Sequence, residues 1–447
     1  MLIVNPPFRA SDENVHYLKA LSLSEGHLTS TVIHDKKDSG KVTGVGSYAN
    51  WSYVLFSSDV KFAPFDKKMT GKDIVDALSI PPDPAGAKRV FDDYGNSGMA
   101  IHSPLLYLPQ ATGMLVGRAF SLSPLLLMYM GRFFNLLFFL ILVYVSISIM
   151  PVLKWAIVFL VLMPQTIFLA ASLSADGPLL AYCFLAVAYF FALALDPKKA
   201  SIGRREIVLL LLLAALLGLV KPPYFLLVLL FLMIPLAKLR SRRDYLLVFA
   251  LILVLAIVVC GGWTLVVKDA SRVPSPTVKP GEQLHEIITH PLRLPHVIYS
   301  GLFPAGRPTN LQMPSVQQFV GTVGWNGPVL PIWFGFWYLF ALFFVSAIDK
   351  EEARVRLKQK TVSLGTAILT WIVVLAIFYA FWTPLRLNAI AGVNARYMIP
   401  IAPLVLLLFY NKKIRYEKGP EFYALAFGFI ALSIIVTLVT MITNIYA

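Results

Sequence analysis

Runs of roughly twenty apolar residues, separated at every second junction by a cluster of lysine and arginine, constrain this chain more than any other feature. A helix needs about 20 apolar residues to cross a bilayer, because it rises about 1.5 Å per residue and leaves no backbone polar group unpaired in lipid. Segments 124–148, 154–172, 177–195, 206–220, 222–238, 245–267, 328–348, 361–381, 396–411 and 421–445 meet or approach that length. The pattern predicts an all-α polytopic membrane protein with about ten transmembrane helices. Composition agrees: 14% of residues are charged, against about 25% in soluble proteins, and mean hydropathy is +0.71. Segments 206–220 and 222–238 are separated only by Lys221-Pro222-Pro223. Proline disfavours helix before it and removes a donor, so this junction is a tight turn or a broken helix.

The basic residues set the orientation. Lys198, Lys199, Arg204 and Arg205 share one loop, and Lys238, Arg240, Arg242 and Arg243 share a later one. Residues 350–360 and 412–418 carry two further basic clusters on the same side, with Lys154. By the positive-inside rule that side is cytoplasmic. The net charge of +15 is thereby explained without a nucleic-acid partner. The expected organisation is an extracytoplasmic loop region at 1–103, a transmembrane core at 104–267, a second extracytoplasmic loop at 268–327 and C-terminal transmembrane helices at 328–447. Nothing precedes the first outer region to export it, which suggests a missing first span. Within the second, "HEIITHPLRLPHVIYSGLF" reads as a short interfacial helix. Residues 103–120 are apolar but short and contain Pro109, so they are expected to lie in or dip into the outer leaflet. Cys183 and Cys260 sit in apolar runs and form no disulfide framework or metal site.

Polar residues inside a membrane are costly and often functional. Arg118, Arg132, Lys221, Arg386, Arg396 and Asp176 lie in or beside spans, all toward the outer face. Arg132 stands about eight residues into its helix, with Tyr129 and Asn135 three residues either side, so one stripe is polar. It suits a structural ion pair, with Asp176 for instance, or a cationic pocket for an anionic headgroup. Ahead of the first span, "NPPFRASDENVH" places Asp12 and His16 at i and i+4 on one helix face. With Glu13 they suit a divalent metal such as Mg or Mn, or a general base; equally, acids favour a first helical turn. No Gly-rich phosphate loop, HExxH or GxSxG is present, so those chemistries find no support.

Six motifs, "NPPFRASDENVHYLKA", "HSPLLYLPQATGMLVGRAFSLSPLLLMYMGRFFNLL", "MPQTIFLAASLSADGPLLA", "GLVKPPYFLL", "FVGTVGWNGPVLPIW" and "AGVNARYMIPIAPLVLLL", together resemble the bacterial membrane-protein family catalogued as domain of unknown function 2142. The resemblance runs from about residue 5 to about 410. It implies a spanning helix ahead of the first motif, and it departs at Asn326, where relatives often have an acid. The layout is similar to the GT-C glycosyltransferases, which move a sugar from a polyprenyl-phosphate lipid to an acceptor outside the membrane. That likeness implies Asp12 and Glu13 as the catalytic acids of the first outer region, with Asp176 as a second acid. His16, Arg132, Lys221, Arg386, Arg396 and Tyr397 are the substrate-binding candidates, and Asp12 with His16 the metal candidates. The implied partners are a polyprenyl-phosphate-linked sugar, a cell-envelope glycan, lipid or protein acceptor, and the bilayer. A lipid or polysaccharide flippase and a non-catalytic envelope-assembly scaffold are the alternatives. Against the flippase, the polar residues gather at one face and no hydropathy repeat is evident.

Overall fold

The computed structural model describes residues 1–38, 40–58, 68–82, 87–95, 98–302, 315–324, 327–349, 353–411, 414, 416 and 418–446, with backbone alone for 300–302. Among these, five helices are long and apolar enough to cross a membrane: Pro124–Ile149, Asp176–Leu195, Arg242–Val266, Leu357–Trp382 and Pro420–Ile445. Each coincides with an expected span. The other expected spans are shorter or broken. Segment 154–172 splits into Lys154–Val161 and Pro164–Ala170, because Pro164 has no N–H to continue the ladder. Arg204–Leu219 and Ile332–Ala347 have 16 residues each. Segment 222–238 is largely a 12-residue 3-10 helix, Pro222–Met233, starting at the predicted proline break. Segment 396–411 is a 3-10 turn, Ala395–Ile401, carrying Pro400, followed by the short helix Ala402–Leu406.

Asp176–Leu195 is the centre of the bundle. Its apolar window is 89% buried, against 17–39% in the other four spans. Its sequence is apolar on every face after the first turn, which suits a helix surrounded by other helices. The remaining spans bury one stripe and leave large apolar side chains such as Phe133, Leu251 and Leu432 exposed, as lipid contact allows.

The expectation of an all-α chain is corrected by a three-stranded antiparallel sheet in the N-terminal region. The strands β1 (Thr31–His34), β2 (Val42–Asn50) and β3 (Arg89–Asp93) pair in the order β1-β2-β3. Gly46 lies so close to the Asp92 carbonyl that a Cβ there has no room, so the glycine in β2 is what allows β3 to approach. Residues 103–120 contain the helix Leu108–Ala119, with Pro109 in its first turn rather than interrupting it. Proline is well placed at a helix start, where its missing N–H is an orphan in any case. This helix packs on both Pro124–Ile149 and Glu13–Ser24.

Contacts sort the loops between two ends of the bundle. The Lys238 ammonium donates to the carbonyls of Leu193 and Asp196. Asp349 accepts from the Lys418 ammonium and the Leu153 amide, and Lys360 donates to the carbonyls of Leu408 and Tyr410. These basic loops share one end; Lys350, Lys412, Lys413 and Arg415 lie outside the described residues. At the other end the Trp263 indole donates to the Ile101 carbonyl at 2.8 Å, tying the N-terminal region to the end of a span.

Candidate functional site

The N-terminal stretch is held against the bundle by Arg132. Its guanidinium is fully buried and points at the first loop. Nε and Nη2 donate to the two carboxylate oxygens of Glu13 at 2.9 and 2.6 Å, Nη1 donates to the Asn5 carbonyl at 2.5 Å, and Nη2 also donates to the Pro6 carbonyl at 2.9 Å. Glu13 accepts in addition from the Leu173 amide at 3.0 Å. The planar fork of arginine is what lets one side chain satisfy a carboxylate and two carbonyls at once. Glu13 and Arg132, predicted as catalytic acid and phosphate binder, are therefore engaged with each other and shut off from solvent. Arg132 does take an ionic partner, but it comes from 119 residues away and is not Asp176.

Glu13 opens the helix Glu13–Ser24, so Asp12 occupies its N-cap position. An N-cap aspartate ordinarily spends its carboxylate on the first backbone N–H groups. Asp12 does not: its backbone is left-handed, φ 56° and ψ 22°, and its side chain makes no capping bond. The carboxylate makes no hydrogen bond or ion pair among the described residues, and it feels Arg396, Lys221 and Asp176 electrostatically. Burial raises its pKa above the ordinary 3.8, with Arg396 and Lys221 pulling the other way.

The neighbouring charges come from three distant parts of the chain. Asp176, at the start of the central span, pairs through Oδ1 with Lys221 Nζ at 2.5 Å and through Oδ2 with Arg396 Nε at 3.4 Å. Lys221 is placed by the proline break, immediately before Pro222. Arg396 is placed by the Asn394 side chain, which caps the turn by accepting from the Arg396 amide at 2.9 Å. Arg396 Nη1 donates to the Ser11 hydroxyl at 3.1 Å and Nη2 to the Tyr397 hydroxyl at 3.3 Å. Both cations lie against the Tyr397 ring, Lys221 Nζ at 5.5 Å and Arg396 Cζ at 5.2 Å from its centroid, a geometry that favours the cation. Tyr224 fixes the same turn by donating to the Tyr397 carbonyl at 2.8 Å. The side chains of Lys221 and Arg396 are each 16% exposed, and that of Asp176 7%.

His16 stands one helical turn beyond Asp12. Its Nδ1 shares a 2.8 Å hydrogen bond with the Tyr107 hydroxyl, and His102 Nδ1 approaches the same hydroxyl at 3.4 Å. Burial pushes the His16 imidazole down to about 3, so the ring is neutral at physiological pH. Among the described residues no three His, Cys, Asp or Glu side chains cluster as a metal site. Asp176 has a cation on each oxygen and His16 Nδ1 is engaged, so Asp12 and His16 would hold Mg or Mn with no third protein ligand among them.

The structure thus brings Asp12, His16, Asp176, Lys221, Arg396 and Tyr397 together, and sets Glu13 and Arg132 directly behind them. Arg386 is not part of the group. Its side chain is exposed, and its carbonyl accepts from Arg293 Nη2 at 3.1 Å. Asn326 lies outside the described residues. Ser11, Tyr107, His102, Tyr224 and Asn394 were not anticipated. The signal for two of them was present: a histidine and a tyrosine stand out in the otherwise apolar "HSPLLYLPQATGM".

A family model described as predicted membrane protein (DUF2142) matches residues 1–405. No curated protein matches the chain, and no solved structure does.

Proposed function

The chain belongs to the DUF2142 family of predicted membrane proteins, and from that premise we propose that it is a membrane glycosyltransferase. It moves a sugar from a polyprenyl-phosphate donor to a cell-envelope acceptor on the outer side of a bacterial cytoplasmic membrane. One observation carries this reading: a partly buried carboxylate with no hydrogen bond or ion pair among the described residues, on strained backbone, faces two partly exposed cations that share a single acid.

In the proposed step the bond between the sugar C1 and the donor phosphate oxygen breaks as the acceptor oxygen bonds to C1. The acceptor proton passes to Asp12, whose raised pKa makes it a better base than an ordinary carboxylate. The phosphate leaves with its electron pair and an added negative charge. Lys221 and Arg396 supply the countercharge, Arg396 with a planar fork suited to phosphate oxygens. Asp176 holds both cations in place before donor arrives. Tyr397 lines them on one side, and His16 with Tyr107 fixes the helix that carries Asp12. Glu13 and Arg132 position this loop and touch no substrate. The exposed apolar flanks of the spans leave room for a lipid tail to approach from the bilayer.

The test is transfer of radiolabelled sugar from polyprenyl-phosphate donors to envelope acceptors in proteoliposomes, with and without chelator. Label should enter the acceptor fraction, and chelator should leave the rate intact because the cations are side chains. A preparation that moves donor across the bilayer without transferring label is a flippase, and the proposal fails. Loss of transfer in chelator, restored by Mg or Mn, would reassign Asp12 and His16 to metal binding.

A further inference from the structure

Two helices start side by side at the basic end of the bundle. Arg204–Leu219 and Arg242–Val266 pack against each other, and the segments leading into them are tied by the Ile202 amide, which donates to the Lys238 carbonyl at 2.8 Å. They run in the same direction. A Cβ at Gly218 would lie 2.8 Å from the Ala256 carbonyl, and each of these residues stands fourteen positions beyond the first of its helix. The two starts are therefore level. Each is a pair of arginines, Arg204-Arg205 and Arg242-Arg243, with Arg240 just ahead of the second. All five are exposed, and none makes a hydrogen bond or an ion pair among the described residues. The nearby acids Asp196 and Glu206 are turned onto the backbone amides of Lys198 and Gly203, at 2.9 Å each. Lysines of the same end go inward instead: Lys238 and Lys360 donate to carbonyls and Lys418 to Asp349. Helix starts favour acids over cations, so helix stability does not account for four arginines there.

What lies beneath them does. Residues four apart on a helix stand one above another. Under Arg204 come Val208 and Leu212, and under Arg205 comes Leu209. Under Arg242 comes Leu246, and under Arg243 come Leu247 and Leu251. All six are exposed, by 39–62%. A cationic rim over an apolar stripe, repeated at one level on adjoining helices, matches a negatively charged headgroup over acyl chains. We propose that this surface binds anionic phospholipid of the leaflet at the basic end, with the phosphate on the arginines and the chains along the stripes. The guanidinium fork suits phosphate oxygens, and basic side chains beside a span attract anionic lipid. A zwitterionic headgroup brings its own cation, which the arginines repel. The basic stretch Arg354–Lys358 has only half of this arrangement, because the exposed positions below Lys358 are Thr361 and Gly365, which offer little apolar surface. The inference stands whether or not the chain transfers sugar.

The experiment is native mass spectrometry of the purified full chain in detergent, with phosphatidylglycerol and phosphatidylcholine of matched acyl chains as probes. Phosphatidylglycerol should be held about tenfold more tightly than phosphatidylcholine. Arg204→Gln with Arg205→Gln, and Arg242→Gln with Arg243→Gln, should each weaken that hold severalfold. Arg354→Gln with Lys358→Gln removes as much charge at the same end and should leave it intact. Equal loss in all three double variants would make the attraction diffuse and overturns the site. So does equal binding of the two lipids, or a hold that survives both arginine variants. Soluble glycerophosphoglycerol carries the headgroup without the chains and should not displace the lipid at equal concentration; displacement would reduce the surface to a free-phosphate site and overturns the lipid assignment. If an arginine variant inserts wrongly, Leu209→Asn with Leu247→Asn keeps every charge and should still weaken the hold severalfold. An unchanged hold there also overturns the proposal.

Discussion

Asp12 holds a backbone conformation that few residues other than glycine adopt, and aspartate and asparagine tolerate it best. Strain of that kind persists where the surroundings over-determine it, and it concentrates at functional sites. Here the surroundings are the buried Glu13 and Arg132 pair on one side and the Arg396 bond to Ser11 on the other. Asp12→Asn keeps the shape and the tolerated backbone but removes the base, so transfer should fall by about 10²–10⁴-fold. The same change should not destabilise the protein. A carboxyl whose folded pKa is raised contributes stability below its unfolded value and loses it as pH rises through the folded one, so at neutral pH ionised Asp12 is a cost. The thermal midpoint of Asp12→Asn should be equal or higher, and a clear drop would show the carboxylate to be structural. For the same reason the acidic limb of the transfer rate should lie above pH 3.8 in wild type and vanish in an Asp12 variant with residual activity. Glu13→Gln and Arg132→Ala should behave differently. Each leaves a buried charge unpaired, at a cost of about 3–5 kcal/mol, whereas an apolar pair such as Glu13→Leu with Arg132→Met should recover much of it. Chemical denaturation in detergent reads both; single variants as stable as wild type would remove the pinning role.

Short and broken segments carry Asp12, Lys221 and Arg396, and a long span carries Asp176. Lys221 lies between Arg204–Leu219 and a proline-started 3-10 helix, Arg396 in a 3-10 turn, and Asp12 in a loop. Interrupted backbone can turn a side chain toward the bundle end, which a continuous span cannot. The expected interfacial helix is two helices, Pro280–Thr289 and Arg293–Leu302, parted by Pro291. They are anchored to Tyr379, near the end of the span Leu357–Trp382: Gln283 donates to its carbonyl at 3.0 Å and Arg293 to its hydroxyl at 3.1 Å. Ile288 and Leu292 stand 77% and 80% exposed beside this anchor. Apolar side chains held at the end of a span belong in the headgroup and acyl boundary. A tryptophan placed at Ile288 should therefore be quenched by brominated lipids in vesicles, and emission typical of water with no quenching would put these helices off the membrane.

For the whole molecule, the two ends of the bundle differ in chemistry. One gathers the basic loops, the other the sheet and the charged cluster of Asp12, Asp176, Lys221 and Arg396. The orientation proposed from the basic loops makes a direct prediction. Lys37→Cys, exposed between β1 and β2, in a background with Cys183 and Cys260 replaced, should react with an impermeant thiol reagent on intact cells. Labelling only after the cells are opened would invert the topology, and the proposed site with it. The chain termini also meet at the cluster end: Tyr446 donates to the Val4 carbonyl at 2.8 Å, and the Met69 amide to that of Ile445.

Five of the ten expected spans, the proline break at Lys221 and the polar bias to one end were legible in the sequence, because lipid imposes length and polarity on each segment separately and neither depends on what packs beside it. The residues of the cluster were legible as types, since charge near a membrane is costly wherever it falls. Which charge pairs with which was not. Glu13 and Arg132 lie 119 residues apart, and Asp12 and Arg396 meet only because three broken segments end at the same place. One arginine therefore holds a loop while another, of the same type and at a similar expected depth, faces the open side. The sheet escaped notice because its central strand depends on glycines that fit only against a particular neighbour. Helix periodicity and hydropathy are properties of a segment; an ion pair and a strained turn are properties of segments brought together, and tertiary structure alone decides them.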